Sequence, residues 1–152
     1  MSVKRLGKTL KRALSIVAIL IAAYYLWNDL GPEDRIGSPG SSADSVLEEA
    51  FKQRQSDLQV QGSGEVVKIL ADDNDGSRHQ RFILRLNSGR TLLVAHIIDL
   101  APRISSLDTG DTVEFYGEYE WNSQGGVIHW THHDPRGVHV SGWLKHNRKT
   151  YQ

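Results

Sequence analysis

Residues 112–121 alternate without a break. Val113, Phe115, Gly117, Tyr119 and Trp121 fall on one side of an extended chain, and Glu114, Tyr116, Glu118 and Glu120 on the other. A period of two sorts side chains onto opposite faces of a pleated strand, whereas a helix would scatter the same glutamates all round its axis. This segment is therefore a strand with one buried face, and it must find partner strands for its backbone groups.

The rest of the carboxyl-terminal two thirds supplies them. From Leu58 the pattern is strand-like, with Glu65 to Leu70 rich in β-branched residues after Gly62-Ser63-Gly64. Phe82, Leu84 and Leu86 alternate with Arg81, Ile83 and Arg85. Asn87-Ser88-Gly89-Arg90 is a hairpin turn into a strand from Thr91 to His96. Ile97 to Ser106, limited by Pro102, breaks the alternation and suits a short helix or an irregular crossing. Asn122 to Gly125 turns into a strand from Gly126 to His133, and Asp134-Pro135-Arg136-Gly137 turns again into Val138 to Leu144. Ahead of the strands, Ser45-Val46-Leu47-Glu48 is a capping-box pattern. Leu47, Ala50 and Phe51 recur at helical spacing, so a short amphipathic helix is expected from Asp44 to about Ser56.

Three strands, a crossing and two more strands is the chain order of a small OB-like five-stranded antiparallel barrel. Here it carries an extra C-terminal hairpin arm, and the chain as a whole is mainly β. Another small antiparallel barrel or a two-layer sheet is the alternative.

The amino end is different. Lys4, Arg5, Lys8, Lys11 and Arg12 stand with no acid in the first 27 residues, leaving thirteen basic and eighteen acidic residues in the remainder. Ala13 to Trp27 is free of charge, and its seven aliphatic residues favour a bilayer by roughly 2–4 kcal/mol. As a helix it spans about 22 Å against a hydrocarbon core of about 30 Å. Lys11 and Arg12 can snorkel at one end, while Tyr24, Tyr25 and Trp27 suit the other interface. The expected organisation is a basic cytoplasmic tail (1–12), a single-pass transmembrane signal anchor (13–30), a Gly/Ser/Pro linker (31–43) and a periplasmic OB-like domain (44–152). A cleaved signal peptide is the alternative, but small residues do not follow the apolar run until Ser41-Ser42-Ala43.

Two polar clusters carry chemistry. In the first, Asp72-Asp73-Asn74-Asp75-Gly76-Ser77-Arg78-His79-Gln80-Arg81 fills the loop between the first two strands. Aligning Gly76 with the glycine of a calcium loop puts Ala71 and Phe82 at ligand positions, so that match fails. With a two-residue loop at Ser88-Gly89, His96 lies opposite Arg81. His79, Arg81, His96 and Asp99 then converge into a ligand-binding wall that also includes Asp72, Asp73 and Arg78. The plainer alternatives are an Asx-rich turn for the acidic loop and a structural, hydrogen-bonded His96.

The second cluster runs from His129 to His139. A four-residue Asn122–Gly125 loop sets Glu118 opposite His129, Tyr119 opposite Ile128, Phe115 opposite His132 and Glu114 opposite His133, with Trp130 over Gly117 on the core face. A tight turn at Asp134–Gly137 puts His132 across from His139. Facing Cβ atoms about 4.5–5.5 Å apart would let two imidazoles share an ion. His132, His139 and Asp134 are thus candidate ligands for zinc or manganese, and His129 a candidate ligand-binding residue. Alternatively, the Glu–His pairs are cross-strand ion pairs, and Asp134 and Pro135 only make the turn. His146 is read as an exposed tail residue.

Other classes are excluded. With no cysteine there is no disulfide scaffold, thiol nucleophile or cysteine zinc site. No phosphate-cradling glycine loop, nucleophile elbow, H-E-x-x-H or dinucleotide fingerprint is present. Nucleic acid is not a favoured partner. Beyond residue 27 the chain carries five more acidic than basic residues, where a phosphate groove needs positive charge.

Asp72-Asp73, Gly76-x-Arg78-His79-Gln80-Arg81-Phe82, Ala95-His96-x-Ile98-Asp99-Leu100-Ala101, Gly117-Glu118-Tyr119-Glu120-Trp121 and His129-Trp130-Thr131-His132-His133-Asp134-Pro135 together resemble a family of short bacterial exported proteins classed as a domain of unknown function. The resemblance covers roughly residues 45–152, and Ile97 stands where the family pattern would have Asn. It implies a bacterial envelope protein and supplies no activity. The expected function is a membrane-anchored periplasmic binding or accessory domain for an envelope ligand or protein. The alternative is a metal-dependent hydrolase, with phosphodiesters as its candidate substrate class. There His79 or His133 would act as general acid or base, and Arg78 or Arg81 would stabilise negative charge.

Overall fold

The segments expected as the first four strands take that form, whereas the strands expected over 126–133 and 138–144 give way to shorter ones at Val127–His129 and Trp143–His146. The structure, a computed structural model, describes residues 39–152; the basic tail, the anchor and residues 31–38 of the linker lie outside the described residues. The elements are α1 (Pro39–Gln53), β1 (Leu58–Ile69), β2 (His79–Arg85), β3 (Thr91–Ile97), β4 (Thr112–Glu120), β5 (Val127–His129), β6 (Trp143–His146) and β7 (Lys149–Tyr151). Among the described residues no helix is long and apolar enough to cross a membrane.

The strands close on themselves in the order β1-β2-β3-β5-β4-β1, with β3–β5 parallel and the other pairs antiparallel. Closure rests on β1, whose first half pairs with β4 and whose second half pairs with β2. A bulge at Val67 and two glycines help it bend. A Cβ on Gly62 would fall 2.7 Å from the Phe115 ring, and one on Gly64 would fall 2.8 Å from the Arg85 carbonyl oxygen. Inside are Val60, Val66, Phe82, Leu84, Val94, Val113, Phe115, Tyr119, Ile128 and Leu144, all buried. The inward residues of β4 are those its alternation marked.

The helix begins at Pro39, five residues before the expected start, in a stretch whose composition reads as linker. Proline suits a first helical turn because its missing N–H is not needed there. Ser45 accordingly lies inside the helix and does not cap it. Leu47 and Ala50 pack into the core. The Arg90 guanidinium grips the Glu48 carboxylate at 2.7 and 2.9 Å and lies 4.0 Å over the Phe51 ring. The Trp121 indole N–H donates to the Phe51 carbonyl at 3.1 Å, which fixes the helix end against β4.

Two registers differ from expectation. His96 lies opposite Gln80, not Arg81. The Leu86–Arg90 turn closes three residues, with Gly89 at φ 84°, where a two-residue loop was expected. The β4–β5 register is the expected one, Glu118 opposite His129 and Tyr119 opposite Ile128, but β5 stops at His129. Trp130 turns left-handed at φ 49°, ending the strand that was expected to run to His133. The other half of β4 therefore pairs with β6: Phe115 faces Leu144 and Glu114 faces Lys145, not His132 and His133. The extra arm is the β6–β7 hairpin, turned at Asn147 (φ 49°) and Arg148 (φ 65°). His146, expected in an exposed tail, is 2% exposed, and its Nε2 lies 2.8 Å from the Asp111 carboxylate.

Candidate functional site

The first polar cluster folds into matched pairs. Arg78 holds Asp99 through its backbone N–H and its guanidinium Nε, both at 2.7 Å. These bonds, the backbone one foremost, keep the Asp99 carboxyl below the usual carboxylate range. Arg103 grips Asp72 at 3.1 and 3.2 Å. Arg81 donates twice to the Ala71 carbonyl at 3.1 Å and lies 3.7 Å from Asp73. Asp73 also bonds the Asp75 N–H and exchanges both backbone hydrogen bonds with His79. These side chains brace the loop with their own charges.

His96 does not join them. It is fully buried beneath β3, with Nε2 donating to the Pro102 carbonyl at 3.1 Å and Nδ1 2.8 Å from the Thr131 hydroxyl. Since a carbonyl only accepts, the proton sits on Nε2 and the Thr131 hydroxyl donates to Nδ1. Burial pushes the His96 pKa down to about 4, against the opposing pull of the Pro102 carbonyl. His132 and His79 add small like-charge contributions in the same direction. The expected meeting of His79, Arg81, His96 and Asp99 thus fails, because the one-residue change of register turns His96 into the core.

The second cluster is arranged differently. His129 and Glu118 face each other across β4 and β5, and Glu120 follows on the same outward face. One Glu118 oxygen lies 3.3 Å from His129 Nε2, the other 2.7 Å from His139 Nε2. The first contact lacks hydrogen-bond geometry: His129 Nε2 is buried and has no hydrogen-bond partner among the described residues. Burial holds the His129 pKa below its ordinary value, overriding Glu118 and Glu120. At His139 burial also opposes charge, but the Val140 carbonyl and the Glu118 carboxylate outweigh it and raise the pKa. Its Nδ1 bonds the Val140 carbonyl at 2.9 Å, so both ring nitrogens face acceptors and the imidazolium completes both bonds.

Trp130 lies beside this group, half-buried and outside the core to which its spacing assigned it. Its indole stacks on His139 at 4.0 Å and 9°, and on His132 at 5.2 Å and 28°. Two glycines permit the tight path around it. A Cβ on Gly117 would lie 2.4 Å from the His129 carbonyl oxygen, and one on Gly142 would lie 2.0 Å from that of Trp130. Val138, 77% exposed, and Val140, 53% exposed, flank His139.

The candidate metal set His132, His139 and Asp134 does not assemble. Both Asp134 oxygens are taken by the backbone N–H groups of Arg136, Val138 and His139, at 2.8–3.0 Å, which makes Asp134 the brace of its turn. His132 Nδ1 donates to the His133 carbonyl at 2.7 Å. His133 is exposed and bonded to the Ser141 hydroxyl at 3.1 Å. The group of three that does offer ligand atoms within 4.8 Å of one another is Glu118, Glu120 and His129. Sequence reasoning paired Glu118 with His129 but overlooked Glu120, although two-residue spacing on β4 was the available signal.

These observations define a small closed β-barrel with a helical cap and a histidine–carboxylate–indole patch on its outer wall. The chain belongs to the family described as protein of unknown function DUF3465, whose model matches residues 35–152. The match begins about ten residues ahead of the stretch that carried the resemblance. No curated protein matches the chain.

Proposed function

We propose that this chain is a membrane-anchored periplasmic accessory domain of OB-like type, which binds an envelope ligand on the wall formed by β4, β5 and the 130–142 segment. The OB-like reading is supported by the closed order β1-β2-β3-β5-β4-β1 with its parallel β3–β5 pair. Anchoring and export are supported by the basic tail followed by the uncharged run from Ala13 to Trp27.

Trp130 carries the binding reading. A bulky residue at φ 49° costs about 1–2 kcal/mol, and such strain concentrates at ligand sites. The indole is kept out of the core, beside half-buried imidazoles and a carboxylate, where a ligand can reach it. Metal-assisted hydrolysis fits less well, because Arg78 and Arg81 are turned toward Asp99, Ala71 and Asp73, away from the histidines of the second cluster.

Two measurements test this. Alkaline phosphatase fused after Gln152 is expected to be active and to sediment with membranes; a soluble product starting near residue 44 would refute the anchor. The Trp130 indole resonance is expected to shift with peptidoglycan fragments, anionic headgroups or a periplasmic protein fraction. An indole signal unmoved by all of them, while other residues respond, would shift the ligand surface elsewhere.

A further inference from the structure

We propose that Glu118, Glu120 and His129 bind one divalent transition-metal ion, zinc by their donor chemistry, on the outer face of the β4–β5 pair, with His139 holding the Glu118 carboxylate in place. The site needs only the β4–β5 register and is independent of where the chain resides.

Three observations carry it. First, the register places one imidazole and two carboxylates on a single face, with ligand atoms within 4.8 Å of one another, so side-chain rotation alone closes them onto an ion. Second, His129 Nε2 is buried and has no hydrogen-bond partner among the described residues, although a carboxylate oxygen lies 3.3 Å away. A buried ring nitrogen is normally satisfied. Two donors bound tetrahedrally at about 2.0–2.1 Å stand about 3.3 Å apart, so this spacing is the edge of a zinc coordination shell. Third, the other Glu118 oxygen is fixed at 2.7 Å by His139, which is anchored to the Val140 carbonyl and stacked on Trp130. Ligating carboxylates are commonly oriented by such an outer hydrogen bond.

The mixed donor set selects the metal class. Calcium and magnesium prefer all-oxygen shells, while imidazole with carboxylate suits zinc and its first-row neighbours. Three protein donors leave a fourth position of the tetrahedron for water or a ligand.

The test uses the full-length protein, untagged, purified in mild detergent and stripped of metal with a chelator. Calorimetric titration with zinc chloride is expected to show one ion per chain. Cobalt(II) is expected to give the visible absorption of a tetrahedral site. Glu118→Gln and His129→Ala should each weaken zinc binding by more than about a hundredfold, and His139→Asn by about 10–100-fold. Glu114→Gln, on the same strand but paired with Lys145, should leave binding unchanged. Circular dichroism on every variant separates lost ligands from lost folding. Absence of zinc binding by the folded protein overturns the proposal. So does binding that survives in folded Glu118→Gln and His129→Ala, which would place the ion on other histidines.

Discussion

The loop cluster and the β4–β5 cluster are made of the same residue types, yet they stand in opposite states of completion. Around residues 71–103 each of Arg78, Arg81 and Arg103 has a carboxylate or carbonyl of its own, and the pairs brace the loop. Around Glu118 the partners are mismatched: one carboxylate faces two imidazoles, one ring nitrogen has no hydrogen bond among the described residues, and an indole is held in a costly backbone conformation. Density of charged residues therefore does not mark a site; unspent bonding capacity does.

Breaking the frame of the second cluster should have the largest effect. Gly142→Ala places a Cβ against the backbone carbonyls of Trp130 and Tyr116 and should cost about 3 kcal/mol, measured by urea unfolding. Any loss below about 1 kcal/mol would mean that the 130–142 segment moves freely.

Acid should expose what separates the clusters from the core. The His96 pKa is about 4 in the fold and about 6.5 in the unfolded chain, so the unfolded state binds more protons between those values. The stability contributed by neutral His96 is fully present above about pH 6.5 and is lost as pH falls towards 4, by about 3 kcal/mol in all. Urea midpoints from pH 7 to 4 should show this slope, and His96→Gln should flatten it. An unchanged slope in the variant would assign the loss to other groups.

Strain and stacking can be weighed at one position. Trp130→Ala gives up stacking worth about 1 kcal/mol, while Trp130→Gly gives up the same contacts but relieves the left-handed backbone. The glycine variant should therefore be the more stable of the two by about 1 kcal/mol. Equal melting points would remove the strain argument.

The smallest change should come from the completed cluster. Arg103→Ala, which breaks a half-exposed pair with Asp72, should cost less than about 1 kcal/mol and leave zinc binding untouched. A larger loss would show that the loop pairs do more than brace.

Where the chain declares its own periodicity, the sequence was readable. The alternation of β4 predicted both its buried face and the pairing of Glu118 with His129, because the Asn122–Gly125 turn has the expected length. Three features depended on backbone choices that composition leaves open. Gly89 serves two- and three-residue turns alike, and the choice decides whether His96 faces the loop or the core. Nothing in a tryptophan announces φ 49°, so the early end of β5 and the transfer of β4 to β6 were hidden. Pro39-Gly40-Ser41-Ser42 reads as tether, yet its proline opens a helix whose later residues have a core to pack on. The polar site was legible as a neighbourhood, through its density of histidines, but its membership followed from these backbone details.

The β6–β7 hairpin has a consequence for self-association. Tyr151 is buried and pairs with Leu144, while β6 covers the part of β4 that β5 leaves bare. Remove β6, and Val113 and Phe115 lose the neighbouring strand on one side. A variant that cannot form the hairpin would thus bare an edge of the central strand, a template on which a second copy could pair through its backbone.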